Sequence, residues 1–133
     1  MDVLLKERRR AQRIPSSMFV AYKVIRRGQE PSEDDHFVRA QTRDISEFGL
    51  GLILNEKFSE GDIIRVDFAL AGRKLEAVCE VMWVNSIELG EDHPQFATGV
   101  EFSCLTVEEQ KYLEGYFRMR FESIWDFLLN PET

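Results

Sequence analysis

The sequence predicts an all-β core followed by one long α-helix. Three observations carry this expectation. From Ser17 to Phe102, short runs rich in β-branched and aromatic residues alternate with turn signals. No helical period persists within that stretch, and a helix-start signature with sustained apolar periodicity follows it. At 133 residues the chain has the length of a single domain that buries its own core without disulfides or metals.

The predicted strands are Phe19 to Ile25, Phe37 to Ile45, Gly49 to Leu54, Ile63 to Leu70, Lys74 to Asn85 and Gln95 to Phe102. Turn residues at Arg27-Gly28, Glu60-Gly61-Asp62, Ala71-Gly72 and Gly90-Glu91-Asp92-His93-Pro94 separate most of them. Short strands joined mainly by tight turns pair as an antiparallel meander or Greek key, and closing the sheet removes its exposed edges. A small six-stranded antiparallel barrel is therefore expected.

Thr106-Val107-Glu108-Glu109 reads as a capping box that starts the helix. Asn130-Pro131 ends it near Leu129, which gives a rod of roughly 35 Å at about 1.5 Å per residue. Leu113, Phe117, Phe121, Ile124 and Leu128 form one apolar stripe suited to sealing a face or end of the barrel. Tyr112, Tyr116, Met119, Trp125 and Phe127 widen the apolar surface beyond that stripe, so a homodimer or a helix-docked protein partner is expected. The organisation read from the sequence is a flexible arginine-rich segment over 1–16, the barrel over 17–104 and the C-terminal helix over 105–130. The loop from Arg26 to Asp35 is also expected to be flexible.

The net charge of −7 argues against a general nucleic-acid binder, since duplex affinity depends on Lys and Arg neutralising phosphates. That average conceals a cluster at Lys6, Arg8, Arg9, Arg10 and Arg13, which predicts a local anion site on an acidic body. No apolar run approaches the roughly 18 to 20 residues of a bilayer span, and the first residues lack the apolar core of a signal peptide. A cytoplasmic protein is expected. Cys79 and Cys104 read as reduced structural residues, and His36 and His93 as solvated loop residues, which leaves no catalytic or metal-binding constellation. Phe48-Gly49-Leu50-Gly51 lacks the remaining features of a nucleotide-hydrolase loop. Neither an enzyme nor a cofactor is expected. Binding of single-stranded nucleic acid would require exposed aromatics interleaved with basic residues, a pattern the strands do not show.

Two segments stand out. In Glu7-Arg8-Arg9-Arg10-Ala11-Gln12-Arg13 the planar guanidinium fork suits bidentate contact with phosphate or with the O6/N7 edge of guanine, and its flat face stacks on a base. In Arg43-Asp44-Ile45-Ser46-Glu47-Phe48-Gly49 a strand ends, turns and restarts. Period-two geometry puts Asp44 and Ser46 on one face, opposite Ile45, where the carboxylate can accept from the guanine N1 and N2 donors. Gly49 permits a positive φ or the close approach of a ligand or another backbone.

Arg9-x-x-x-Arg13 followed by Asp44-x-Ser46-x-x-Gly49 resembles the two-part signature of the PilZ domain, the bacterial receptor for cyclic di-GMP. Gly51-Leu52, Val81-x-Trp83 and Gly99-Val100-Glu101-Phe102 extend the resemblance, which covers Glu7 to Phe102. It implies a six-stranded PilZ-type barrel and a non-catalytic receptor that changes conformation with its ligand and signals to a protein partner in motility, surface polysaccharide or virulence control. It also implies that Arg9 and Arg13 hold phosphates and guanine Hoogsteen edges, while Asp44 and Ser46 contact a guanine and Gly49 shapes the turn. Arg8 and Arg10 flank the motif and are candidates for a second nucleotide. The alternative is a structural interaction module of the same fold that binds no nucleotide.

Overall fold

The computed structural model describes residues 13–87 and 93–129, with side chains through Arg120. The elements in chain order are β1 (Ile14–Pro15), β2 (Phe19–Arg27), β3 (Glu30–Pro31), β4 (Val38–Ile45), β5 (Gly49–Leu54), β6 (Ile63–Leu70), β7 (Arg73–Ile87), β8 (Gln95–Cys104) and α1 (Val107–Leu129). The long strands pair in the order β4-β5-β8-β7-β6-β2, and β2 returns to β4 from Phe19 opposite Gln41 to Tyr22 opposite Val38. Every pairing is antiparallel, so the sheet closes into the expected six-stranded barrel.

Period-two alternation fills the interior. On β6, Ile64, Val66, Phe68 and Leu70 are buried while Arg65 and Asp67 point outward, and Leu75, Ala77, Cys79 and Val81 do the same on β7. Each large aliphatic or aromatic side chain so buried stabilises the fold by about 1.5–3 kcal/mol. Phe58, in the β5–β6 connection, meets Tyr22 edge-on at 5.9 Å, and Phe68 stacks on Phe102 at the same distance. Burial pushes the Cys79 thiol up to about 12, leaving it inert. Cys104, expected to be structural, is instead exposed because it ends β8 beyond the core.

Two short strands were not legible in advance. β1 pairs with β4, Ile14 opposite Ile45 and Pro15 opposite Asp44, and the Ser16 amide donates to the Arg43 carbonyl. Residues 13–16, grouped with the flexible N-terminal segment on sequence grounds, are thus hydrogen-bonded to the barrel at these points. The expected loop from Arg26 to Asp35 also holds a hairpin, with β3 pairing back on the end of β2 and Gly28 turning at φ 59°. Asp62 anchors it: one carboxylate oxygen accepts from the Gly28 amide and the other from the Ser59 amide, both at 2.9 Å. His36 and His93 are exposed, as read from the sequence.

The capping box forms as expected. The Thr106 hydroxyl accepts from the Glu109 amide at 3.1 Å, and Glu109 Oε1 accepts from the Thr106 amide at 3.0 Å. Glu109 Oε2 also accepts from the Glu76 amide, which ties the helix start to β7. Partial burial opposes ionisation of this carboxyl, but the hydrogen bonds from Glu76 and Thr106 outweigh it and hold the group below its ordinary value. Leu113 and Phe117 then enter the core, so the first half of α1 packs on the barrel.

Candidate functional site

The site is a row of residues registered across four strands. Asp44 on β4 lies opposite Gly51 on β5, Gly51 opposite Gly99 on β8, and Gly99 opposite Trp83 on β7. Two irregularities in the ladder create this row. Between Thr42 and Asp44 the β4–β5 register slips by one residue, so that Thr42 and Ile45 are buried and Asp44 turns outward. Between Val81 and Trp83 the β7–β8 register slips likewise, keeping Val81 in the core and putting Trp83 on the outer surface. Without these bulges strict alternation would carry both side chains inward.

The two glycines between them form a floor. A Cβ on Gly51 would come within 2.7 and 2.9 Å of the Asp44 carboxylate oxygens, so the carboxylate occupies the space a side chain would take. A Cβ on Gly99 would collide with the Trp83 indole, which therefore lies directly over that backbone. Gly49, one step along the barrel, faces the Val100 carbonyl so closely that no Cβ fits. Its small size serves close approach of a neighbouring backbone. The positive φ allowed for it is found instead at Gly28, Gly61, Gly72 and Ala71.

Arg13 completes the arrangement. It precedes β1 and reaches back across it, Nη1 donating to Asp44 Oδ1 at 2.6 Å. Its side chain is 45% exposed and that of Asp44 20%, so the pair sits at the solvent boundary, where such bridges contribute about 0–1 kcal/mol. Its consequence is geometric: the guanidinium is held beside the glycine floor with further donors to offer. Arg13, Ser46, Gly49, Met82, Trp83 and Glu101 line a depression of about 200 Å³ there.

Ser46 departs from the sequence reading. β4 ends at Ile45, and Ser46 just past it is buried in the turn, not alongside Asp44 on one open face. Its hydroxyl accepts from the amides of Phe48 and Gly49, each at 3.2 Å, and its own amide donates to the Gly49 carbonyl. Ser46 therefore closes the β4–β5 turn while lining the depression. Arg8, Arg9 and Arg10 lie outside the described residues. Gly51, Trp83, Gly99 and Glu101 were not singled out as site residues; only their recurrence in the extended motif signalled them, because a one-residue bulge has no sequence mark of its own.

A second depression of about 380 Å³ adjoins the first, and Glu47, Glu101 and Glu114 contribute to its walls. Partial burial, then the neighbouring Glu114, push the Glu47 carboxyl above its ordinary value, and Arg118 opposes the shift. Among the described residues no His, Cys, Asp and Glu cluster is placed to hold a metal ion, and no helix is long and apolar enough to cross a membrane.

The model of the PilZ domain matches residues 7–118. The chain belongs to the PilZ domain family. Solved structures agree on the fold. The Bacillus subtilis inhibitor of motility (MotI/DgrA) superposes with a TM-score of 0.64 at 18% identity, covering 87% of this chain and 52% of that one. The PilZ domain of YcgR from Escherichia coli, solved with c-di-GMP, gives 0.59 at 15% identity over 95% of this chain and 99% of that one. The MrkH–c-di-GMP complex of K. pneumonia gives 0.57 at 16% identity over 92% and 52%. This PilZ chain thus spans about half the length of the MotI and MrkH chains. Among curated proteins none is significantly similar in sequence.

Proposed function

We propose that this PilZ domain is a receptor for cyclic di-GMP, bound on the glycine floor between Asp44 and Trp83. The observation that carries the reading is the row Asp44–Gly51–Gly99–Trp83 with Arg13 bonded to its acidic end. An acceptor-only carboxylate, an indole face and a guanidinium fork are what a guanine with a phosphate needs. The carboxylate accepts from the base N1 and N2 donors, the indole and guanidinium planes stack, and the remaining guanidinium donors meet phosphate or the O6/N7 edge. Two neighbours of the same fold, YcgR and MrkH, were solved with this ligand, which supports the choice of nucleotide.

Arg8, Arg9 and Arg10 supply the remaining positive charge. Like charges in this segment repel one another until phosphates neutralise them, so ligand binding draws it toward the Arg13–Asp44 pair and changes the surface offered to a protein partner. Ser46 acts by holding the turn, and its hydroxyl is the site's short polar contact with the base.

Calorimetric titration of cyclic di-GMP into the chain and its Arg13→Ala and Asp44→Ala variants tests the assignment. Removing a charged hydrogen-bond partner costs about 1.5–3 kcal/mol, so affinity is expected to fall by roughly 10- to 150-fold with the fold intact. Undiminished affinity in both variants would remove these residues from the site.

A further inference from the structure

The row Asp44–Gly51–Gly99–Trp83 has a parallel neighbour on the barrel. Two residues further along β5, β8 and β7, Ile53, Ala97 and Asn85 stand in register, with Gln41 of β4 opposite Ile53 and Phe19 of β2 opposite Gln41. Both rows lie on the outer face, roughly 7 Å apart at about 3.3 Å per residue. On β4 the step from Asp44 to Gln41 is longer by one residue, because the bulge inserts Arg43. Thr42 and Ile45 point inward, so Arg43 and Asp44 share the outer face, and Arg43 is exposed between the two rows.

The second row ends in an aromatic platform. Closure of β2 on β4 sets Ala21 opposite Arg39 and brings the Arg39 guanidinium over the Phe19 ring, 4.9 Å from its centroid. Phe19 is nevertheless 64% exposed. An exposed phenylalanine alone is ordinary on a protein surface. This one backs a depression of about 190 Å³, nearly the volume of the depression beside Arg13. Arg39, Gln41, Ile53, Asn55 and Gln95 share its walls, and among the described residues no carboxylate does. The stacking contact uses the flat face of Arg39 and leaves its N–H edge to a ligand. Lys23 and Arg65 approach Phe37 in a similar way, but both are already bonded to carboxylates, those of Asp35 and Asp67.

The chemistry of the ligand identifies the occupant. Cyclic di-GMP carries two guanines on one ring of two sugars and two phosphates, and the floor between Asp44 and Trp83 accounts for one of them. We propose, resting on that assignment, that the second guanine is seated at Phe19 and Arg39. Its plane stacks on the phenylalanine ring and the guanidinium, the N–H edge of Arg39 meets O6 and N7, and the amides of Gln41, Asn55 and Gln95 offer donors and acceptors to the remaining edge. Arg43, between the rows, faces the phosphates that join the two bases.

Calorimetric titration of the full chain with cyclic di-GMP and with the hybrid cyclic GMP–AMP tests this. In the hybrid the guanine takes the Asp44 seat and the adenine falls to Arg39, which sets the N6 amino donor against the guanidinium. The wild type is expected to bind the hybrid roughly 5-fold or more weakly than cyclic di-GMP. Arg39→Ala is expected to lose affinity for cyclic di-GMP by a similar factor and to abolish that preference. Phe19→Ala is expected to weaken both ligands alike, by roughly 5-fold or more, since stacking tolerates either base. Both side chains are exposed, so the variants are expected to melt close to the wild-type temperature. Equal wild-type affinity for the two ligands, or a preference that survives in Arg39→Ala, overturns the proposal. If the wild type binds cyclic di-GMP and Asp44→Ala weakens that binding, while Phe19→Ala and Arg39→Ala bind as tightly as the wild type, the second seat alone is overturned. A wild type that binds no cyclic di-GMP removes the receptor reading and this seat with it.

Discussion

The carboxylate of Asp44 rests on the bare backbone of Gly51, within 3.0 Å of where a Cβ would stand. This contact separates two kinds of glycine in the β5 sequence. At Gly51 the neighbour is the end of a movable side chain, whereas at Gly49 it is the Val100 carbonyl, fixed in the ladder. Gly51→Ala is therefore expected to fold with little loss of stability but to push Asp44 off the floor and away from Arg13. Cyclic di-GMP affinity falls by roughly 10-fold or more as a charged contact is lost. Gly49→Ala is expected to destabilise the barrel itself by about 1–3 kcal/mol, the usual cost of overpacking. Thermal melts and calorimetry on the two variants separate the effects. Equal melting points would contradict the distinction.

Glu109 links the helix start to β7, and its lowered pKa gives the linkage a sign. A carboxyl held below its unfolded value adds stability at pH above that unfolded value and loses it as pH falls through the folded one. Glu109→Gln is therefore expected to lower stability near neutrality and to have a smaller effect in acid, the difference narrowing below about pH 4.5. Thr106→Ala, which removes the other half of the box, is expected to cost about 0.5–2 kcal/mol. Denaturant titrations at several pH values check both.

Glu47 carries the opposite sign. Its carboxyl is raised, so the charged form is disfavoured in the fold: stability is fully present below the unfolded value and falls as pH rises through the folded one. Glu47→Gln is expected to stabilise the protein at pH 7 by about 1 kcal/mol or less, the group being partly solvated. It should also remove part of the stability gained on mild acidification. A variant less stable than the wild type at pH 7 would show that the Glu47 charge is used by Arg118 more than it is opposed by Glu114.

Most of the fold was legible because period-two alternation and turn residues are local signals. β6, with Ile64, Val66, Phe68 and Leu70 inward, occupies the span read from the sequence. The capping box was legible for the same reason, since Thr106 and Glu109 act within one turn. What escaped depends on long-range pairing. β1 exists only because Ile14 and Pro15 meet an edge of β4 that lies some thirty residues away. In the site, Asp44 and Arg13 were marked by residue type and spacing, but the bond between them was not foreseen. Strict alternation put Ser46 beside Asp44 on one face, but β4 ends at Ile45, so alternation stops before Ser46 and its hydroxyl closes the turn instead. Trp83 reaches the same face through a second bulge, whose position follows from pairing with β8 and not from the residues of β7 alone.

The central claim is that Asp44 and the arginines read a guanine, and base selectivity tests it most directly. Adenine presents an N6 amino donor where guanine presents the O6 acceptor, and it has no N1 or N2 hydrogen. Exchanging the base sets donor against donor at the guanidinium and leaves the Asp44 carboxylate nothing to accept. Each lost bidentate pair costs about 1–3 kcal/mol. Titrating the full chain with cyclic di-GMP and with cyclic di-AMP under the same conditions is expected to show binding at least about 100-fold weaker for the adenine ligand. Phosphate contacts alone cannot produce that gap, because the two ligands share one backbone. Comparable affinity for both would mean that the arginines grip phosphate only, and would contradict the assignment of Asp44 to the base.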